Sequence, residues 1–252
     1  MADVTGKLSH EDGEGLTEPE FIRKYRHQKY VKPSVTVDLV VFTVVDTDLK
    51  VLLVKRRGHP DQGKWALPGG FVNVGDGQDD QGESIEDAAH RELAEETGLP
   101  EGSCFLEQLY TFGAPYRDAR MRVITVAYYA LVSSDQVTRT QAGDDAAEAK
   151  WFSVASKVPD LDLAFDHAEI LRTGVERIRG KIDYTPIAFE LVPKTFTTSE
   201  LRAVHEAVKG ETYDRSNFHR RFKRMQTDGI IRQAPGKRQT TTRTATVYEF
   251  IR

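Results

Sequence analysis

The sequence contains one cysteine, Cys104, in 252 residues. That excludes a disulfide framework and a thiolate zinc site. The seven histidines fall far apart, without the spacing of metal ligands. Long hydrophobic runs are missing too. The longest, "LVVFTVV" from Leu39 to Val45, is far too short to span a bilayer. The opening "MADVTGKLSHEDGEGLTEPE" is polar and acidic, unlike a secretory signal. A cytoplasmic protein without a membrane partner is therefore expected. Repeats and low-complexity tracts are absent as well.

What is present divides into two halves. A chain of this length reads naturally as two domains. The formal charge of −4 hides an asymmetry. Residues 186–252 carry 13 Lys+Arg against 7 Asp+Glu, a balance of +6, and residues 1–185 carry 22 against 32, or −10. An acidic module followed by a basic one points to a metal or small-molecule site joined to a polyanion binder.

In the acidic half, "SVTVDLVVFTVV" and "LKVLLVKR" are strand-like and joined by "DTD", a hairpin signal. "FLEQLYTFG", "RVITVAYYALV" and "EAKWFSV" read as further strands. From Ala164 to Ile182 the spacing of Ala168, Leu171, Val175, Ile178 and Ile182 predicts a helix packed on the sheet. Residues 1–33 read as a flexible start followed by a short helix.

"RELAEETGL", Arg91 to Leu99, places Glu92, Glu95 and Glu96 at steps of three and four, on one side of a helix. Like charges there repel, and a hard divalent ion would relieve them. A solvated acidic face is the plain alternative. The wider frame is Gly77, five residues, Glu83, seven residues, Arg91-Glu92-Leu93, one residue, Glu95-Glu96, one residue, Gly98-Leu99. This resembles the Nudix box of hydrolases acting on nucleoside diphosphates linked to another moiety. The resemblance implies an α/β/α sandwich over roughly residues 34–182. It also implies catalytic roles for Glu83, Arg91, Glu92, Glu95 and Glu96, with magnesium or manganese held by those last three glutamates and by Gly70. Arg91 is expected to orient the glutamates. One departure stands out: the box glycine usually follows directly from "PGGF", as Gly70 would. The loop "VGDGQDDQG", Val74 to Gly82, is about seven residues too long. Its Asp76, Asp79 and Asp80 are expected to be solvated.

The basic half has its own pattern. Thr198 or Ser199 caps a helix bearing Leu201, Val204 and Val208, "KGE" is a turn, and Asp214 caps a second helix with Phe218, Phe222 and Met225 on one face. Gly229 suits its end. Two strand-like runs around a basic turn containing Pro235 and Gly236 follow. Helix, turn, basic helix and hairpin resemble a winged helix-turn-helix over residues 186–252. In such a module the second helix enters the major groove and the hairpin touches backbone. The candidate contacts are Arg215, Ser216, Asn217, His219, Arg220, Arg221, Arg224, Lys237 and Arg238. A basic solvated helix in a dimerisation or substrate module is the alternative.

Nudix followed by winged helix resembles the Nudix-related transcriptional regulators, ADP-ribose-responsive repressors of NAD biosynthesis or salvage genes. The segments "LKVLLVKRRGHPDQGKWALPGGFV", "EQLYTFGAPYRDARMRVITVAYYALV", "LAFDH" and "KTFTTSELRAVHEAV" carry it. It implies a homodimer on an inverted-repeat DNA operator. Many such repressors have lost the box glutamates, whereas this chain keeps all three, so hydrolysis of ADP-ribose to AMP and ribose 5-phosphate is compatible with it. A housekeeping pyrophosphatase is the other reading. Pro115, downstream of the box, lies where ADP-ribose pyrophosphatases often carry proline. Arg56, Arg57, Arg117, Asp118, Arg120 and Arg122 are candidate phosphate or ribose contacts, and Phe71 and Phe112 candidate stacking residues. Singly, each arginine also reads as surface and each phenylalanine as core. Glu148, Asp144 and Asp145 are the available general bases, with none singled out.

Overall fold

Strand β1 (Ser34–Val45) and strand β2 (Asp48–Arg56) pair antiparallel through the two-residue turn Asp46-Thr47. Both turn residues have positive φ, 54° and 61°, the twist a tight hairpin demands. The structure is a computed structural model describing residues 17, 18, 20, 21, 32–76, 80–99, 102, 104–137, 146–155, 158–239 and 244–251. Of the expected helix before Lys32, Glu18, Glu20 and Phe21 are helical, and the remainder lies outside the described residues. Gly77, Asp79, Asp144 and Asp145 lie outside them too.

Among the described residues seven strands form one mixed sheet. The further strands are β3 (Trp65–Ala66), β4 (Gly69–Phe71), β5 (Phe105–Phe112), β6 (Val123–Leu131) and β7 (Ala146–Ser153). The order runs β3-β2-β1-β6-β5, with β4 against β1 and β7 against β2. Only β1 and β6 run parallel. The period of two along β1 sends Leu39 and Val41 to one face and Val40, Phe42 and Val44 to the other. Helix α1 (Ile85–Thr97) covers the first face with Ala88, Ala89 and Leu93. Helix α2 (His167–Lys181) covers the second with Ile170, Leu171, Val175 and Ile178. The sandwich is thus α/β/α. Helix α2 begins three residues later than the spacing predicts. Phe165 has φ 52°, outside the right-handed helical region, so the helix starts only after Asp166.

The basic half contains β8 (Thr195–Phe196), α3 (Thr198–Lys209), α4 (Arg215–Thr227), β9 (Ile231–Gln239) and β10 (Thr244–Phe250). The cap of α3 is Thr197, not Thr198 or Ser199. Glu200 lies three residues on, and the two complete a reciprocal capping box. Pro235 and Gly236 also differ from expectation, because they sit inside β9 rather than in a turn. Strand β9 is an edge strand, order β8-β10-β9, where a missing N–H is tolerated. The register against β10 shifts there, and Gly236 takes φ 90°. Leu201, Val204, Val208, Phe218 and Phe222 share one buried cluster with Phe42, Leu53 and Ile178 of the sandwich. The two halves therefore share a core. No helix among the described residues is long and apolar enough to cross a membrane.

Candidate functional site

Helix α1 is held at both ends. Ser84 Oγ accepts from the Asp87 N–H at 3.0 Å, and Gly98 closes the helix with φ 69°. Between these caps, Glu92 and Glu96 reach the turn formed by Leu67 to Gly70. The Gly69 N–H donates to Glu96 Oε2 at 2.9 Å. A Cβ on Gly70 would stand 2.2 Å from Glu92 Oε1, so any side chain there would force the Glu92 carboxylate to move. Glu92 is buried, and burial raises its pKa above the usual carboxylate value.

Arg91 organises the box. Its Nε and Nη2 grip Glu83 at 3.0 and 2.7 Å. Nη1 donates to Glu92 Oε1 at 2.8 Å and Glu95 Oε2 at 3.1 Å, and Nη2 also reaches the Phe71 carbonyl at 3.1 Å. The bidentate guanidinium pulls Glu83 down to about 2. The expected three-glutamate cation cluster differs from this arrangement. Among the described residues, no three acidic, histidine or cysteine side chains converge to hold a metal ion. The reason is local: Arg91 bridges Glu92 and Glu95, while Glu96 turns to Gly69. The donor set itself fits a hard divalent ion, since it offers carboxylate oxygens, one of them buried, beside glycine backbone that a Cβ would block.

The long loop does not disturb this geometry. The Asn73 N–H donates to Glu83 Oε1 and the Glu83 N–H to the Asn73 carbonyl, both at 2.9 Å. The two flanks of the loop thus meet at Asn73 and Glu83. Asp80 accepts from Gly82 N–H and Asp76 from Asp80 N–H, so both acids serve the loop itself.

Beside the box lies a cleft of about 90 Å³, large enough for a phosphate or ribose but not a whole nucleotide. Arg56, Phe71, Arg117, Asp118 and Arg120 line it together. Burial first, then neighbouring Arg120, lowers the Arg56 pKa, the mark of two guanidiniums sharing a small space. The Arg56 guanidinium lies 4.7 Å above the Phe165 ring. Arg120 forks onto Asp118, at 2.7 Å for the closest pair. Arg117 is turned inward, bonded to Asp166 at 2.6 and 2.8 Å and to Asp38 at 3.2 Å, and so is an internal ion pair. Phe112 is core rather than a stacking surface, because it is buried at the end of β5 in the cluster that includes Ile170 and Leu171 of α2. Arg57 and Arg122 are exposed and outside the cleft. Glu148 pairs with Lys150 on β7.

Asp38, Phe165 and His167 complete the cleft wall, and sequence reasoning did not select them. The signal for Asp38 was a lone acid inside an apolar strand. His167 Nδ1 accepts the Leu67 N–H at 2.8 Å, so the neutral ring carries its proton on Nε2, 3.5 Å from Asp38. Burial lowers its pKa. A larger cavity, about 340 Å³, lies between Cys104, Phe189, Lys194 and Phe250, with no box carboxylate in it. Burial pushes the Cys104 thiol up to about 11, away from reactivity.

On α4, Phe218 and Phe222 face the core, while Arg215, Ser216, Asn217, His219, Arg220 and Arg224 are exposed. Asp214 caps this helix by accepting from the Asn217 N–H at 2.8 Å. Lys237 is exposed on β9. Two of the expected DNA contacts are engaged elsewhere. Arg221 bonds Asp183, and Arg238 bonds Glu200 at 2.7 Å and the Thr195 carbonyl at 2.9 Å, bracing the wing on α3.

The NUDIX domain family matches residues 35–174, and the NrtR DNA-binding winged helix domain matches residues 188–250. The chain belongs to the Nudix-related transcriptional regulators. Across 93% of this regulator and 88% of the relative, it is 32% identical to the ADPR responsive transcriptional repressor NtrR of Acinetobacter baylyi. It resembles the crystal structure of Shewanella oneidensis NrtR complexed with a 27mer DNA, with TM-score 0.72 and 34% identity over 86% of this chain and 93% of that one. The ADP-ribose pyrophosphatase of Methanocaldococcus jannaschii is 38% identical over 60% of the regulator and 77% of the enzyme.

Proposed function

We propose that this chain is an ADP-ribose-responsive transcriptional repressor of NAD biosynthesis or salvage genes, and that its box still hydrolyses ADP-ribose. The observation that carries the reading is the joining, through one shared core, of an intact carboxylate box beside an arginine-lined cleft to an exposed cationic helix. Arg56 and Arg120 offer donors to the ligand's diphosphate or ribose. Phe71, an exposed residue of the cleft wall, offers a flat surface for a base. Glu92, Glu95, Glu96 and the Gly70 backbone would hold magnesium or manganese, which supplies Lewis acidity at the diphosphate. Arg91 orients the glutamates through its bonds to Glu83, Glu92 and Glu95. On the other side of the molecule, exposed Arg and Asn side chains of α4 suit base edges and phosphates. Two copies on an inverted repeat would place both α4 helices in successive major grooves.

The test is a mobility shift with DNA from upstream of the chain's own gene. Binding that ADP-ribose releases supports the reading, and binding indifferent to ADP-ribose sinks it. Hydrolysis is read separately, as AMP and ribose 5-phosphate appearing with magnesium. The absence of turnover with any divalent ion would leave a sensor only.

A further inference from the structure

Helix α2 touches the cleft at one end and the winged helix at the other. Its N-cap Asp166 holds Arg117, and its first residue His167 holds the Leu67 N–H. Fifteen residues, about 22 Å, separate that end from the point where the chain turns at Ile182 and presents Asp183. Asp183 Oδ1 accepts from Arg221 Nη1 at 2.9 Å and Tyr213 Oη at 3.0 Å, and Oδ2 pairs with Lys209 at 2.9 Å. Arg221 Nη2 adds a 2.7 Å bond to the Asp183 carbonyl. His205 Nδ1 is buried 3.6 Å from Oδ1, too far to bond. Burial alone would raise the Asp183 pKa, but Arg221, Lys209 and Tyr213 overcome it and hold the carboxyl far below its usual range.

The arrangement spends both arms of one guanidinium on a single linker residue. Arg221 is 29% exposed, whereas Arg220 and Arg224 beside it face solvent. A DNA phosphate reaching Arg221 would have to displace two charge-assisted bonds. We propose that Asp183 is a positioning residue that fixes α4 against the sandwich, that Arg221 serves this joint and not DNA, and that a shift of α2 reaches α4 through it. The last part rests on the repressor reading above, and the first two do not.

The probe is a duplex that the wild-type chain selects from a random-sequence pool, compared with a scrambled duplex over a range of salt. Arg221→Gln and Asp183→Asn are expected to lower the selected-to-scrambled affinity ratio about tenfold, the scale of one lost charged bond. Both should leave the slope of log affinity against log salt unchanged, because no phosphate contact is removed. A phosphate-binding arginine would instead reduce that slope by about 0.9. Asp183→Asn is also expected to bring the ADP-ribose effect on the selected duplex close to onefold, with unchanged ADP-ribose affinity in the DNA-free chain. Tyr213→Phe deletes one hydroxyl and should shift the same readouts less, so it carries the test if Asp183→Asn does not fold. A slope loss near one in Arg221→Gln makes Arg221 a phosphate contact and overturns the joint. Wild-type ratio and wild-type ADP-ribose response in Asp183→Asn overturn it as well. A wild-type chain that selects DNA but ignores ADP-ribose overturns the repressor reading alone, and the slope and ratio still decide the joint.

Discussion

Arg91 gathers three glutamates, two of them on the thirteen-residue helix α1. A single guanidinium contacts Glu83, Glu92 and Glu95, so the counter-charge comes from within the chain. Glu83 feels this most, with a folded value of about 2 against an ordinary 4.5. Because the folded value is depressed, the stabilisation is complete above pH 4.5 and is lost as pH falls toward 2. Glu83→Gln should therefore destabilise the chain by about 1.5–3 kcal/mol at pH 7, as expected for bonds to a charged group. Denaturant melts should show that gap narrowing below pH 4, and a gap independent of pH would contradict the ion pair. Gly70→Ala is the complementary test. Its Cβ would fall on Glu92 Oε1, so ADP-ribose turnover should drop about a hundredfold or more. Unaltered turnover in the alanine variant would show that Glu92 is not held where the chemistry needs it.

At the level of elements, the loop after β4 and helix α3 make different demands. The Asn73–Glu83 clamp ties together the two flanks of the loop, and loop length itself costs little. Replacing Val74–Gly82 by Asn-Gly should leave the melting temperature within about 4 °C, the shift expected for roughly 1 kcal/mol. A much larger fall would mean the loop packs on the site. His205 in α3 is 1% exposed, and burial, then Arg221, holds it at about 4 against an ordinary 6.5. Between those values the unfolded chain takes a proton that the folded chain refuses, despite the opposing pull of Asp183. Stability should thus fall with acidification below pH 6.5, by about 2 kcal/mol at pH 5. His205→Phe should flatten that slope in melts at pH 7.5 and 5. Much of this architecture was legible beforehand. The strands show in β-branched runs, α3 and α4 in their apolar stripes, and the box in its spacing. What was not legible depends on partners far along the chain. Asp38 on β1 and Asp166 at the start of α2 meet at Arg117, and no local period announces such a meeting. The same limit applies to Arg221 and Arg238. Their charge made them look like DNA contacts, and only the fold reveals Asp183 and Glu200 opposite them.

For the molecule as a whole, a ligand changes DNA affinity only by binding two domain arrangements unequally. A coupling of about 1–3 kcal/mol is the usual range. Reciprocity then requires the selected duplex to weaken ADP-ribose binding by the same factor that ADP-ribose weakens DNA binding. Calorimetry on a Glu95→Gln chain, with and without duplex, measures this directly. Identical dissociation constants would mean two modules that share a core but not a signal. The exposed face of α4 has a further consequence, felt before anything touches. With −10 over residues 1–185 and +6 over residues 186–252, the molecule is an electric dipole with its cationic pole at the winged helix. The field of a duplex would turn such a body as it drifts in, so that collisions occur basic end first and the acidic sandwich trails away from the phosphates. Orientation would then be largely settled by diffusion, and the search for a site would begin with the reading helix already facing the groove.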